Sequence, residues 1–172
     1  MHIEKNVCDN IVHTVLGVDR KTKDNANSRR DLEELNIRGA LHPVPVGNGT
    51  IHLPSAPYSL SLELKRLFCQ ILKAIRFLDG LAYDIRNNVH VKVKRIVGLK
   101  SHDCHILLQQ LLPLAFRRTL PEAFYAALIS VSDFFKKIYS PVICISDMEK
   151  LEEEIAETLS ILEVIFLPSF LI

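Results

Sequence analysis

Apolar side chains recur every three or four residues through most of this chain, so helices dominate the expectation. Ile3, Val7, Ile11, Val12, Val15 and Leu16 form the first such face, and Gly17 follows as a natural stop, predicting a helix over 2–16. Asp19 to Arg30 is almost wholly polar and predicts a solvated loop. Leu32, Leu35 and Ile37 give the apolar side of a short helix over 28–37. Residues 39–57 hold three glycines and four prolines, with His42 and His52 among them. That composition predicts an irregular, exposed connection with extended pieces around 50–53.

Ser59 or Ser61 caps the next predicted helix, with Glu63 in its first turn and a stripe from Leu60 to Ile75 that ends near Asp79-Gly80. Residues 81–97 read two ways. Val89, Val91 and Val93 alternate with His90, Lys92 and Lys94, the period of a half-buried strand; a short helix is the alternative. A helix over 101–118 carries Pro113 inside it, which predicts a kink or break near Leu112. Another starts at Pro121-Glu122 and runs to about Tyr139. The last has Ser146 and Glu149 spaced as a capping box, and Met148, Leu151, Ile155, Leu159, Leu162 and Ile165 as its apolar side. The expected fold is mainly α, an irregular array of about five to six helices with a long Gly/Pro-rich loop and at most a minor β element. Its segments are N-terminal helices over 1–38, a linker over 39–57 and a helical region over 58–172.

Composition supports a packed chain: 48% of the 172 residues are hydrophobic and 24% charged, which argues against disorder. The formal net charge is only +1, but it is unevenly spread. Residues 147–172 hold seven acids against Lys150, a local charge of −6, which leaves +7 on residues 1–146. Cys8, Cys69, Cys104 and Cys144 form no Cys-x-x-Cys pair, and free thiols in a reducing compartment are expected. The apolar run from Ile161 is interrupted by Glu163 and Pro168, so no membrane span is predicted and the chain reads as soluble and intracellular.

Three constellations could carry chemistry. His102, Cys104 and His105 are metal candidates, since positions three apart share a helix face, although no fourth ligand stands at a diagnostic spacing. The preferred reading is structural: Ser101 as cap, Asp103 as a first-turn acid and Cys104 as a core residue. Glu4, Asp9 and His13 suggest acid–base work, but the preferred reading gives them solvated-face or capping duties, with Asp9 and His13 as an i,i+4 surface pair. Lys92, Lys94, Arg95, Lys100, Arg117 and Arg118 form basic groups able to meet phosphates. With aromatics at 7% and no tryptophan, such contact would be to the nucleic-acid backbone without base reading. Gly-rich phosphate loops, Gly-x-Ser-x-Gly elbows and His-Glu-x-x-His pairs are absent.

The stretch Gly98-Leu-Lys-Ser-His-Asp-Cys-His-Ile-Leu-Leu-Gln-Gln-Leu-Leu-Pro113, with Met1-His-Ile-Glu-Lys-Asn-Val-Cys-Asp-Asn10, resembles the transposase of plant CACTA (En/Spm-type) DNA transposons. Weaker anchors are Leu41-His42-Pro43, Tyr58-Ser-Leu-Ser61, Leu120-Pro121, Leu151-Glu-Glu-Glu-Ile155 and Phe166 to Phe170. Leu167 stands where the family pattern has proline, and residues 76–83 are more apolar than usual. The resemblance implies the region between the transposase domain and a following plant domain of unknown function. Such transposases cut and join DNA in the nucleus with an RNase H-like core, acidic residues and divalent metal. The family's catalytic acids would fall outside residues 1–172, so the resemblance implies a truncated, catalytically inactive fragment with no catalytic residue and no cofactor of its own. Zinc at His102, Cys104 and His105 remains the alternative. The rival function is an interaction module, self-associating or docking on DNA or on the rest of a transposase. Its mark would be an apolar stripe left exposed on 146–165 or 59–77.

Overall fold

The amphipathic repeats become helices in the structure, a computed structural model that describes residues 2–75, 83–117 and 119–170. In chain order they are α1 (His2–Leu16), α2 (Ala26–Glu34), a 3₁₀ turn (Gly39–Leu41), β1 (Val44–Gly47), β2 (Thr50–His52), α3 (Leu62–Ala74), α4 (Tyr83–Asn88), β3 (Val89–His90) and β4 (Arg95–Ile96). The chain continues through α5 (Ser101–Ile106), a π-helical segment (Leu107–Leu111), α6 (Leu112–Phe116), α7 (Glu122–Ile138), α8 (Ile145–Ile165) and a 3₁₀ turn (Pro168–Phe170). It is mainly helical, and the sheets among the described residues are two antiparallel hairpins, β1–β2 and β3–β4.

α1 lies in the core, with Cys8, Ile11, Val12 and Val15 almost fully buried. Its end follows from Gly17, whose φ of +60° only glycine adopts without strain. The Val18 N–H then bonds the His13 carbonyl at 2.8 Å. A side chain at 17 would also meet the Lys65 ammonium at 3.1 Å.

The polar stretch expected in solvent, residues 19–30, is only partly so. α2 begins at Ala26 because the Asn25 side chain caps it, accepting from the N–H groups of Asn27 (3.0 Å) and Ser28 (3.2 Å). Arg29 is 1% exposed. Its guanidinium donates to Asp24 Oδ2 at 2.7 Å, to the Leu41 carbonyl at 3.0 Å and to the Pro54 carbonyl at 3.2 Å. The Tyr58 hydroxyl donates to the same Asp24 oxygen at 3.0 Å. Burial, with the Asp24 charge beside it, pushes the Tyr58 phenol well above its ordinary range. A run that is polar in sequence is thus a buried fastener between α2 and the Gly/Pro-rich connection.

That connection holds more order than its composition suggests. Asn48 and Gly49 both have positive φ, the requirement of a tight hairpin turn, and Val44 pairs with His52 across it. α3 is capped by Ser61, whose hydroxyl accepts the Leu64 N–H, and ends at Ala74; the expected stop near Asp79-Gly80 lies outside the described residues. Of 81–97, residues 83–88 form the helix of the alternative reading, while the expected alternating strand is cut short: only Val89 and His90 are in β3, Val91 and Val93 fall in the turn, and the chain returns as β4.

Pro113 does not end the helix, but the regular α-helix gives way just ahead of it. The helix passes through a π-helical turn over Leu107–Leu111 and continues as α6. The Gln109 carbonyl, which an α-helical N–H at 113 would bond, accepts the buried Ser132 hydroxyl of α7 at 3.1 Å instead. α8 starts one residue before the expected cap, with Cys144 in the cap position and Ser146 inside the first turn. Its last carbonyls, at Glu163 and Phe166, accept the Arg38 guanidinium. The Phe166 ring then packs on Tyr58 (5.0 Å), Phe124 (4.6 Å) and Phe170. Among the described residues no helix is long and apolar enough to cross a membrane.

Replacing Arg29 by Met strands the largely buried Asp24 charge and should lower unfolding free energy by roughly 3–5 kcal/mol in urea titrations. Asp24→Asn combined with Arg29→Met should recover part of that loss, because the uncompensated charge is gone.

Candidate functional site

The acid at position 4, expected on a solvated face, is fully buried. It sits where α1 packs against α5 and the π-helical segment. His105 Nδ1 lies 3.1 Å from both Glu4 carboxylate oxygens, and Gln109 Nε2 donates to Oε1 at 2.8 Å. His105 and Gln109 are one turn apart, so both face α1. Tyr139, at the end of α7, closes the cluster: its ring meets His105 edge-on at 5.1 Å. Its phenol is raised by desolvation and then by the Glu4 charge and hydrogen bond. This is a carboxylate hydrogen-bonded inside the protein by side chains of a distant helix, an arrangement that orients helices.

Cys104 is buried beside Cys8, with its Sγ 3.9 Å from Asp9 Oδ1. Hydrogen bonding from Cys104, burial and nearby acids push the Cys8 thiol well above its usual range, so it stays protonated and unreactive. Asp9 makes its ion pair with Lys5, one turn earlier, rather than with His13. His13 is lowered chiefly by burial. Asp103 serves the helix start as expected, accepting the Lys100 N–H at 2.8 Å, but Lys100 rather than Ser101 occupies the cap position.

The three metal candidates do not converge. His102 is exposed, Cys104 faces α1, and His105 is engaged with Glu4. Among the described residues no group of three or more His, Cys, Asp or Glu side chains is placed to hold a metal ion.

Of the basic candidates, Lys92, Lys94 and Arg95 are brought together on the β3–β4 hairpin, while exposed Lys100 and Arg117 lie at the start of α5 and the end of α6. Arg118 lies outside the described residues. Lys65 on α3, not singled out in the sequence, joins the hairpin cations: burial and then the charge of Lys94 hold its ammonium below the usual value.

An open apolar groove of about 560 Å³ lies between α1, α7 and α8. Ile3 and Val7 form one wall, Phe134 and Ile138 the base, and Ile155 and Leu159 the other wall. Ile3 is 75% exposed and Leu159 37%, although their spacing belongs to stripes read as core. The stripe on α8 is divided: Leu151 and Leu162 are buried, while Met148, 57% exposed, and Leu159 are left over. α3 leaves Leu62 and Leu67 exposed in the same way. The signal for the groove was present as an apolar face too wide for one contact, but only packing shows which part stays uncovered.

Comparison of the chain with protein-family models, with curated proteins and with solved structures finds no match.

In the native state, a thiol reagent should label Cys144 alone, since Cys8, Cys69 and Cys104 are buried. All four should react in denaturant; rapid native labelling of Cys8 or Cys104 would contradict the packing of α1 on α5.

Proposed function

We propose that this chain is a non-catalytic helical docking module of CACTA-type transposase lineage, acting in the nucleus, and that its apolar groove joins it to the rest of such an enzyme. The observation that carries this reading is the groove itself: three helices leave a continuous apolar trough where an isolated chain would gain by closing it. Two further facts support it. The segments with the most specific resemblance, Met1 to Asn10 and Gly98 to Pro113, pack on each other through Glu4, His105 and Gln109. The acids in them are also committed to protein partners. Glu4 accepts Gln109, Asp9 pairs with Lys5, and Asp103 caps α5, whereas two-metal DNA cleavage needs carboxylates converging on ions roughly 3.5–4 Å apart.

The test mixes the purified chain with the catalytic region of a CACTA-type transposase and follows sedimentation. A one-to-one complex is expected, lost on Ile3→Asp or Leu159→Asp, and the chain alone should leave DNA uncut with magnesium or manganese. DNA cleavage by the chain alone, or a complex indifferent to both substitutions, would refute the reading.

A second reading, contact with the DNA backbone, is favoured by the hairpin cations beside Lys65. If Lys92, Lys94 and Arg95 each meet a phosphate, log K should fall with log salt at a slope of about −2.7. Changing all three to Gln should flatten that dependence in anisotropy titrations at several salt concentrations.

A further inference from the structure

The groove has one charged edge. On α8, Glu152 stands three residues before Ile155 and seven before Leu159, and Glu163 four after Leu159. Helical neighbours three, four and seven apart share a side, so both acids flank the groove wall. Both are exposed, and neither joins an ion pair among the described residues. Glu154, one of the acids on the side turned toward α7, is by contrast already paired with Lys137 at 2.9 Å and Lys150 at 3.7 Å. The lysines that pair with α8 thus stand on its α7 side, and at the groove edge Arg38 is spent on the Glu163 and Phe166 main-chain carbonyls rather than on a carboxylate. On the opposite wall exposed His2 also lines the groove, and the Lys5 ammonium of α1 is taken by Asp9. The Glu4 carboxylate beneath is satisfied by Gln109 and His105, so the floor adds no free charge.

We infer that the occupant is a basic amphipathic helix of a partner polypeptide, its apolar residues seated between Ile3 and Leu159 and its lysines or arginines against Glu152 and Glu163. This rests on the docking reading above and names the chemistry of what docks. The wall from Ile155 to Leu162 runs about 10 Å along α8, the distance between residues i and i+7 of a helix laid beside it. A second copy of this chain fits poorly. Pairing groove to groove would bring two α8 helices together, and residues 147–172 carry −6, so those faces repel. The exposed Leu62 and Leu67 of α3 are five apart and do not share a helix face.

Two fluorescein-labelled model peptides of about five turns test this, with leucines at the same i, i+3, i+4, i+7 positions and either lysine or glutamate elsewhere. At low salt the lysine peptide should bind about tenfold tighter than the glutamate peptide, with the gap shrinking as salt rises. The double variant Glu152→Lys/Glu163→Lys should reverse the preference. Leu159→Asp, a partly exposed position whose variant is checked for folding by circular dichroism, should abolish binding of both. Equal affinity for the two peptides, both lost in Leu159→Asp, would overturn the basic occupant while leaving a docking groove. Binding of the lysine peptide that survives Leu159→Asp, or no binding of either peptide, would also overturn it. Concentration-dependent dimerisation abolished by Leu159→Asp would assign the groove to a second copy instead. The complex with the transposase catalytic region judges the docking reading separately.

Discussion

A carboxylate with no exposed surface constrains this structure more than any single apolar contact. Burying the Glu4 charge costs several kcal/mol unless its oxygens are bonded, and the donors able to do so, His105 and Gln109, lie about a hundred residues away. Apolar packing of α1 on α5 would tolerate several registers, because leucines and valines are interchangeable partners. The buried acid admits few. The same stretch carries the π-helical turn ahead of Pro113, and the carbonyl left by the proline is satisfied from α7 by Ser132. Two helices, α1 and α7, are thus tied to one short segment by polar groups.

Elsewhere the fold relies on similar fasteners, since its two small hairpins supply little backbone pairing between distant parts. Arg29 binds α2 to two carbonyls of the Gly/Pro-rich connection, and Arg38 covers the carbonyl end of α8. Asn10 of α1 donates to the Phe170 carbonyl at 2.9 Å, joining the two ends of the described chain. Each arginine has planar donors that can serve several oxygens at once, which lysine could not do at the same places. What these ties leave open is the trough between α1, α7 and α8, where Ile3 and Leu159 stay exposed.

The readings that held depend on local physics. The helix over 2–16 and its stop at Gly17, the Ser61 cap and the reach of α7 follow from period, capping chemistry and backbone freedom, all settled within a few residues. Arg29 and Glu4 were misjudged for one shared reason. A charged residue in a polar run or on a helix edge reads as solvated, and only a distant partner makes its burial tolerable. His102 and His105 share a face by spacing, yet the packing of α5 on α1 turns one toward Glu4 and leaves the other outside.

By itself the sequence determined the helical class, the extents of α1 and α7, the acidic character of the last helix and the candidate basic groups, because periodicity and local charge depend only on neighbours along the chain. Tertiary structure alone decided which charges are buried, how Pro113 is absorbed, and which part of the apolar surplus on α1, α7 and α8 remains uncovered. Burial and pairing are properties of contacts between residues far apart in sequence, and no local pattern encodes how many of a helix's apolar residues its neighbours will reach.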